Sequence, residues 1–212
     1  MKLAVVADDL LKKELMSSGP VAGVELIWLD AASALINHRD ADAVIDLLFQ
    51  GKETEITFLK NFLPVPVIIN DVNKKPEEII PGFIRINGWP TFLKREIIEC
   101  SNSSEETKKA GERIFSALGK KANWVPDIAG FITPRIIALI INEAYLAMEE
   151  EVSTKEEIDT AMKLGTNYPY GPFEWAEKIG FKKIHDLLII LSEKESRYQP
   201  APLLIKAATE KN

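Results

Sequence analysis

Leu3-Ala4-Val5-Val6-Ala7-Asp8-Asp9-Leu10, near the start of the chain, is a run of five apolar residues stopped by two acids. So short a run, apolar on both faces and ended by polar residues, reads as a strand buried in a parallel sheet. Similar runs recur at 24–29, 43–48, 65–69 and 83–86, with a sixth at 96–100 and a short one at 122–125. Helical spacing lies between them at 10–16 and 52–62, the second closing before Pro64, which cannot continue a helix. This alternation predicts an α/β domain with a mostly parallel sheet. Several runs end on a polar residue, namely Asp8, Asp30 and Asn70, where open α/β sheets place their ligands.

Ser103-Ser104-Glu105-Glu106 has the form of a capping box, and Ala110, Ile114, Ala117 and Leu118 follow at helical spacing until Gly119. From Gly130 onward the strand pattern ceases. Phe131, Ile132, Ile136, Leu139, Ile140, Ala144 and Ala147 make one helix apolar on most sides, which should sit at the centre of a small bundle or in a subunit interface. Ser153-Thr154-Lys155-Glu156 supplies a second capping box for a helix ended by Gly165, and helices at 182–195 and 202–209 complete the set. The expected organisation is an α/β domain at 1–126 and an all-α domain at 127–212.

A net charge of −6 argues against a general nucleic-acid binder, because phosphate recognition draws on clustered Lys and Arg. With 46% hydrophobic and 27% charged residues, the chain has the composition of a globular protein and not of a disordered one. No apolar run reaches the length of a membrane span, and the start turns acidic too soon for a signal peptide, so the expected setting is the cytoplasm, away from membranes. A single cysteine, Cys100, excludes an intrachain disulfide, and with His38 and His185 the only histidines no metal site is expected.

Asp127-Ile-Ala-Gly130-Phe131-Ile-Thr-Pro134-Arg135, followed by Asn142-Glu143-Ala144, resembles the pattern Asp-x-x-Gly-Phe-x-x-Asn-Arg that begins the C-terminal domain of the 3-hydroxyacyl-CoA dehydrogenase family. Glu157-Ile-Asp159-Thr-Ala-Met-Lys-Leu-Gly165 and Tyr168-Pro169-Tyr170-Gly171-Pro172-Phe173-Glu174 are similar to a longer signature of that domain. Local structure accounts for part of it: a left-handed Gly165 ends a helix, and Pro169 with Gly171-Pro172 makes a rigid turn before the next. Upstream, the segment from Glu96 to Thr107 resembles the family stretch that starts with its catalytic glutamate, which puts Glu96 in that role. The resemblance implies a Rossmann-like N-terminal domain, a C-terminal domain that makes homodimer contacts and helps to cover an acyl-CoA substrate, NAD as cofactor, and a place in fatty-acid oxidation.

The residues of that chemistry are incomplete. A dinucleotide turn needs glycines so that backbone N–H groups can approach the pyrophosphate at a helix N-terminus. Here the turn reads Val6-Ala7-Asp8-Asp9-Leu10, with no glycine before Gly19, and its carboxylates repel phosphate and suit helix capping. Asp30, closing the second strand, has the place of a ribose-binding acid and equally of an ordinary turn residue. The family's histidine should follow the fifth strand, where Arg85-Ile86-Asn87-Gly88-Trp89-Pro90-Thr91 has none. Asn87 is the nearest polar substitute, and an amide is no base near neutral pH. Pro134 stands where the family has an active-site asparagine, and His185 lies too far along the chain to fill the vacancy. Trp89, Tyr168, Tyr170 and Trp175 suit either a ligand pocket or core anchors. Two functions remain open: a shortened dehydrogenase or assisting subunit that keeps residual activity, with NAD held weakly or lost, and a non-catalytic relative serving as a dimeric scaffold or an acyl-CoA or small-ligand module.

Overall fold

All seven apolar runs become strands in the computed structural model, which describes every residue except 18, 20, 21, 75–79, 103, 211 and 212. They are β1 (Lys2–Val6), β2 (Glu25–Leu29), β3 (Ala43–Asp46), β4 (Val67–Asn70), β5 (Phe83–Ile86), β6 (Ile97–Asn102) and β7 (Lys121–Trp124). One sheet holds them in the order β2-β1-β3-β4-β5-β6-β7, parallel throughout except between β5 and β6. The order reverses at β1, which lies between β2 and β3.

Both faces of the sheet are covered, which explains why its central strands read as unbroken apolar runs. Leu3, Val5, Ile45, Ile68 and Ile84 meet Leu11 and Leu15 of α1 (Asp9–Leu15) and Ile114 and Phe115 of α3 (Glu105–Ala117) on one face. Ala4, Val6, Val44, Val67 and Ile69 meet Ile56 and Leu59 of α2 (Glu53–Lys60) on the other. Each fully buried Leu, Ile or Phe contributes about 1.5–3 kcal/mol, so these two layers dominate the stability of the unit Met1–Phe131. Asp127 belongs to this unit, since Arg85 and Ser101 both donate to its carboxylate.

The second unit, Ile132–Asn212, contains α4 (Thr133–Glu149), α5 (Lys155–Thr166), α6 (Pro172–Ile179), α7 (Phe181–Ser192) and α8 (Pro202–Glu210). Asn142 of α4 pins the approach to α8, donating to Gln199 O at 2.9 Å and accepting from Ala201 N–H at 2.8 Å. Asp159 of α5 caps the next helix, accepting from the backbone N–H groups of Phe173 at 2.8 Å and Glu174 at 3.2 Å.

The helix ends depart from expectation by small, explicable steps. The capping residue of α3 is Ser104, whose partner is Thr107; Ser103, where the sequence pattern placed the cap, lies outside the described residues. Likewise α5 is capped by Thr154 with Glu157, while Ser153 donates to the same Glu157 carboxylate at 2.7 Å. Where two hydroxyl residues adjoin, the second takes the cap in both helices. Gly165 remains helical, and Asn167 takes the left-handed conformation at φ 56° that ends α5, a conformation asparagine tolerates.

Candidate functional site

β1, β3, β4 and β5 run parallel, so the residues just past their C-terminal ends gather along one rim of the sheet. Asn87 follows β5 directly. Because β6 returns antiparallel with Cys100 opposite Ile86, the next pair outward is Asn87 and Glu99. Asn87 N–H donates to Glu99 O at 2.9 Å, and Nδ2 donates to Glu99 Oε2 at 3.4 Å. Trp89 N–H donates to Asn87 Oδ1 at 3.4 Å. The pair is buried, Asn87 being 3% and Glu99 9% exposed.

Glu96 precedes β6 and is exposed, so the carboxylate brought to Asn87 is Glu99 and not Glu96. The signal that finds Glu99 is the antiparallel return of β6, which sets it opposite Asn87.

Asn70, the last residue of β4, clamps this turn. Its Oδ1 accepts from Gly88 N–H at 2.9 Å, and its Nδ2 donates at 3.1 Å to both Gly88 O and Leu47 O. The approach demands glycine at 88, where a Cβ would lie 2.7 Å from Asn70 Cγ. Beyond the turn, Glu14 of α1 accepts from Thr91 N–H at 2.6 Å, and Lys120 donates to Leu93 O at 2.7 Å and Arg95 O at 3.0 Å. Burial raises the Glu14 pKa and lowers that of Lys120, as expected of charges held out of water to satisfy backbone groups. On β5 itself, Arg85 donates to Asp71 O at 3.0 and 2.7 Å, pairs with Asp127 and stacks over Phe131 at 5.2 Å.

Asp46 ends β3 fully buried. Its Oδ1 accepts from Leu48 N–H at 3.0 Å, and its Oδ2 has no partner. Burial, reinforced by the nearby Glu55 carboxylate, pushes its pKa up to about 7.

NAD, the cofactor that the resemblance implies, does not fit the turn after β1 in the family's manner. Asp8 accepts from Leu11 N–H at 2.8 Å and so occupies the end of α1 where a pyrophosphate would bond, and Asp9 adds a second exposed carboxylate in the first turn. Asp30 is exposed immediately after β2 and is not joined to Asn87 or Glu99 by any bond among the described residues. No group of three His, Cys, Asp or Glu among the described residues could hold a metal ion.

Trp89 is buried at 3% exposure in the first unit. In the second, Trp175 packs against Tyr168 at 5.3 Å and Tyr170 at 6.2 Å, as an anchor of α6. His185 sits mid-helix in α7, 3.1 Å from Asp186, and Pro134 is a buried residue in the first turn of α4. No helix among the described residues is long and apolar enough to cross a membrane.

Residues 130–212 match the family described as 3-hydroxyacyl-CoA dehydrogenase, C-terminal domain. The chain is 33% identical over 189 residues to the "Probable 3-hydroxybutyryl-CoA dehydrogenase" of Deinococcus radiodurans, taking in 81% of this chain and 68% of that protein. It is 30% identical over 193 residues to the 3-hydroxybutyryl-CoA dehydrogenase of Bradyrhizobium diazoefficiens, taking in 83% of this chain and 66% of that one. It therefore spans about two thirds of the length of these relatives. The crystal structure of (S)-3-hydroxybutyryl-CoA dehydrogenase from Ralstonia eutropha is similar in fold, with a TM-score of 0.76 at 20% identity over 99% of this chain and 94% of that chain.

Proposed function

The chain belongs to the 3-hydroxyacyl-CoA dehydrogenase family, and from that premise we propose that it serves fatty-acid and acyl-CoA metabolism by binding a CoA thioester, with dehydrogenase turnover reduced to a residue. The observation that carries this reading is the buried Asn87–Glu99 pair. In the chemistry the resemblance implies, a histidine exchanges a proton with the substrate hydroxyl, and such general acid–base catalysis is worth about 10²–10⁴ in rate. An amide donates a hydrogen bond to a carbonyl but carries no exchangeable proton of the right acidity. Asp8, engaged with α1, removes the usual pyrophosphate seat as well, so two separate requirements of the reaction are missing.

The partner proposed alongside is a second copy of the chain, docked through the helical unit. Ile132, Ile136, Leu164, Ile189 and Ile205 of that unit are exposed, and covering such side chains favours association. Light scattering at micromolar concentration should give a dimer mass, and a clean monomer contradicts this part of the reading.

Calorimetric titration with acetoacetyl-CoA and separately with NADH, followed by a turnover assay on the same sample, tests the whole. Heat from acetoacetyl-CoA alone supports a thioester-binding protein; heat from neither removes that reading. A second reading, an active dehydrogenase, rests on Glu99 as a surviving carboxylate base. It requires measurable turnover that Glu99→Gln abolishes.

A further inference from the structure

The segment between β3 and α2 is held at both ends by carboxylates. Asp46 Oδ1 accepts from Leu48 N–H at 3.0 Å, and Glu55 Oε2 accepts from Gln50 N–H at 2.9 Å and Gly51 N–H at 3.1 Å. Asp46 lies in an apolar layer. By strand register its neighbours are Val6 on β1 and Ile69 on β4, both in the cluster that packs under α2. From α2, the charged group acting on it is Glu55, which repels a negative charge, and no cation among the described residues offsets that repulsion. Its Oδ2 has neither partner nor water-facing surface. A carboxyl so placed is tolerable as a neutral acid and costly as an anion, because an ion buried without a partner forfeits its hydration.

We propose that the segment Leu47 to Lys52 is a proton-operated latch, shut while the Asp46 carboxyl carries a proton and released when that carboxyl ionises and moves to water. Release also frees Leu47 O from Asn70, whose other two bonds hold Gly88 in the Asn87 turn, so the latch loosens the clamp on the candidate site from its far side. The inference stands whether or not a CoA thioester binds there.

Linkage fixes its pH window. The shut form titrates at about 7, whereas an Asp46 that has reached water returns to its ordinary value of 3.8. Between those limits the shut form holds a proton that the open form has lost, so opening grows about tenfold per pH unit and levels off above about pH 7.

The test is amide hydrogen exchange of the full chain by NMR, with every rate corrected for its intrinsic pH dependence. From pH 5 to 7 the amides of Leu48, Gln50 and Gly51 should lose about 50-fold in protection. They should do so while remaining faster than the β4 core amide of Ile68, and the profile should be flat in Asp46→Asn. In Glu55→Gln, which keeps an acceptor and removes the repelling charge, the levelling point should move to lower pH. A flat wild-type profile overturns the latch. So does an Asp46→Asn profile with the wild-type slope, or loop amides that exchange no faster than Ile68, which would mean that the segment opens only when the domain unfolds.

Discussion

Removing the Asp159 carboxylate should unfasten α6 from α5, and the structure sets the size of the loss. Asp159 accepts from two N–H groups in the first turn of α6 and is only 6% exposed, so water cannot replace it. Hydrogen bonds to a charged group are worth about 1.5–3 kcal/mol each, and an anion at a helix N-terminus adds about 0.3–1 kcal/mol. Burial works against this, raising the Asp159 pKa in spite of the two bonds. The net cost of Asp159→Ala is therefore about 2–3 kcal/mol, most of it the orphaned Phe173 N–H. Gly171 faces the same carboxylate so closely that an added Cβ would lie 2.2 Å from Asp159 Oδ1, so Gly171→Ala should cost a similar amount by forcing the helices apart. Urea unfolding followed by far-ultraviolet circular dichroism, which the helices of the second unit dominate, reports both changes. A loss below about 0.5 kcal/mol for Asp159→Ala, the range of ordinary surface substitutions, would refute the argument that this signature residue is retained as a cap.

Three further outcomes follow from the first unit. The stability difference between Asp46→Asn and wild type should swing by about 4 kcal/mol in favour of the variant from pH 4 to pH 8, nearly all of it below about pH 7, where the wild-type carboxyl is neutral when folded and ionised when unfolded. A pH-independent difference in urea midpoints would exclude this, whatever its constant offset. Asp127→Ala should cost about 3–5 kcal/mol by leaving the Arg85 guanidinium, 3% exposed, without its anion; a loss under 1 kcal/mol in the same unfolding assay speaks against it. Gly88→Ala should cost about 1–3 kcal/mol by overpacking against Asn70, and the cost should shrink in an Asn70→Ala background, so a double-mutant cycle without coupling contradicts the clamp.

The fold was legible because its strands are buried on both faces and bounded by polar residues: Leu3 to Val6 and Val67 to Ile69 need no partner sequence to be recognised. Helix ends were less so. Ser153 and Thr154 are both competent caps, and only the reach of Glu157 back to the Thr154 N–H at 3.2 Å decides between them. Candidate site residues divide in the same way. Asn87 is visible as the polar residue after β5, but its partner depends on the register of an antiparallel return, a long-range property that local similarity at Glu96 does not encode. Asp46 looks like the last position of an ordinary strand, since nothing in Ala43-Val44-Ile45-Asp46-Leu47 reveals that both neighbouring strands and α2 close over its carboxyl. Asp159 and Gly171 belong to a signature the sequence displays plainly, yet the reason for the glycine is the tertiary approach of the carboxylate.

The most direct measurement is the turnover of acetoacetyl-CoA with NADH by the full chain, followed by loss of NADH absorbance on protein whose acetoacetyl-CoA binding has been confirmed by calorimetry. With Asn87 in place of a proton carrier, the expected result is a saturable heat of thioester binding and a rate at least about 10²-fold below the 1–10³ s⁻¹ of ordinary enzymes. Turnover within that ordinary range would contradict the reading that Asn87 and Glu99 form a buried structural pair.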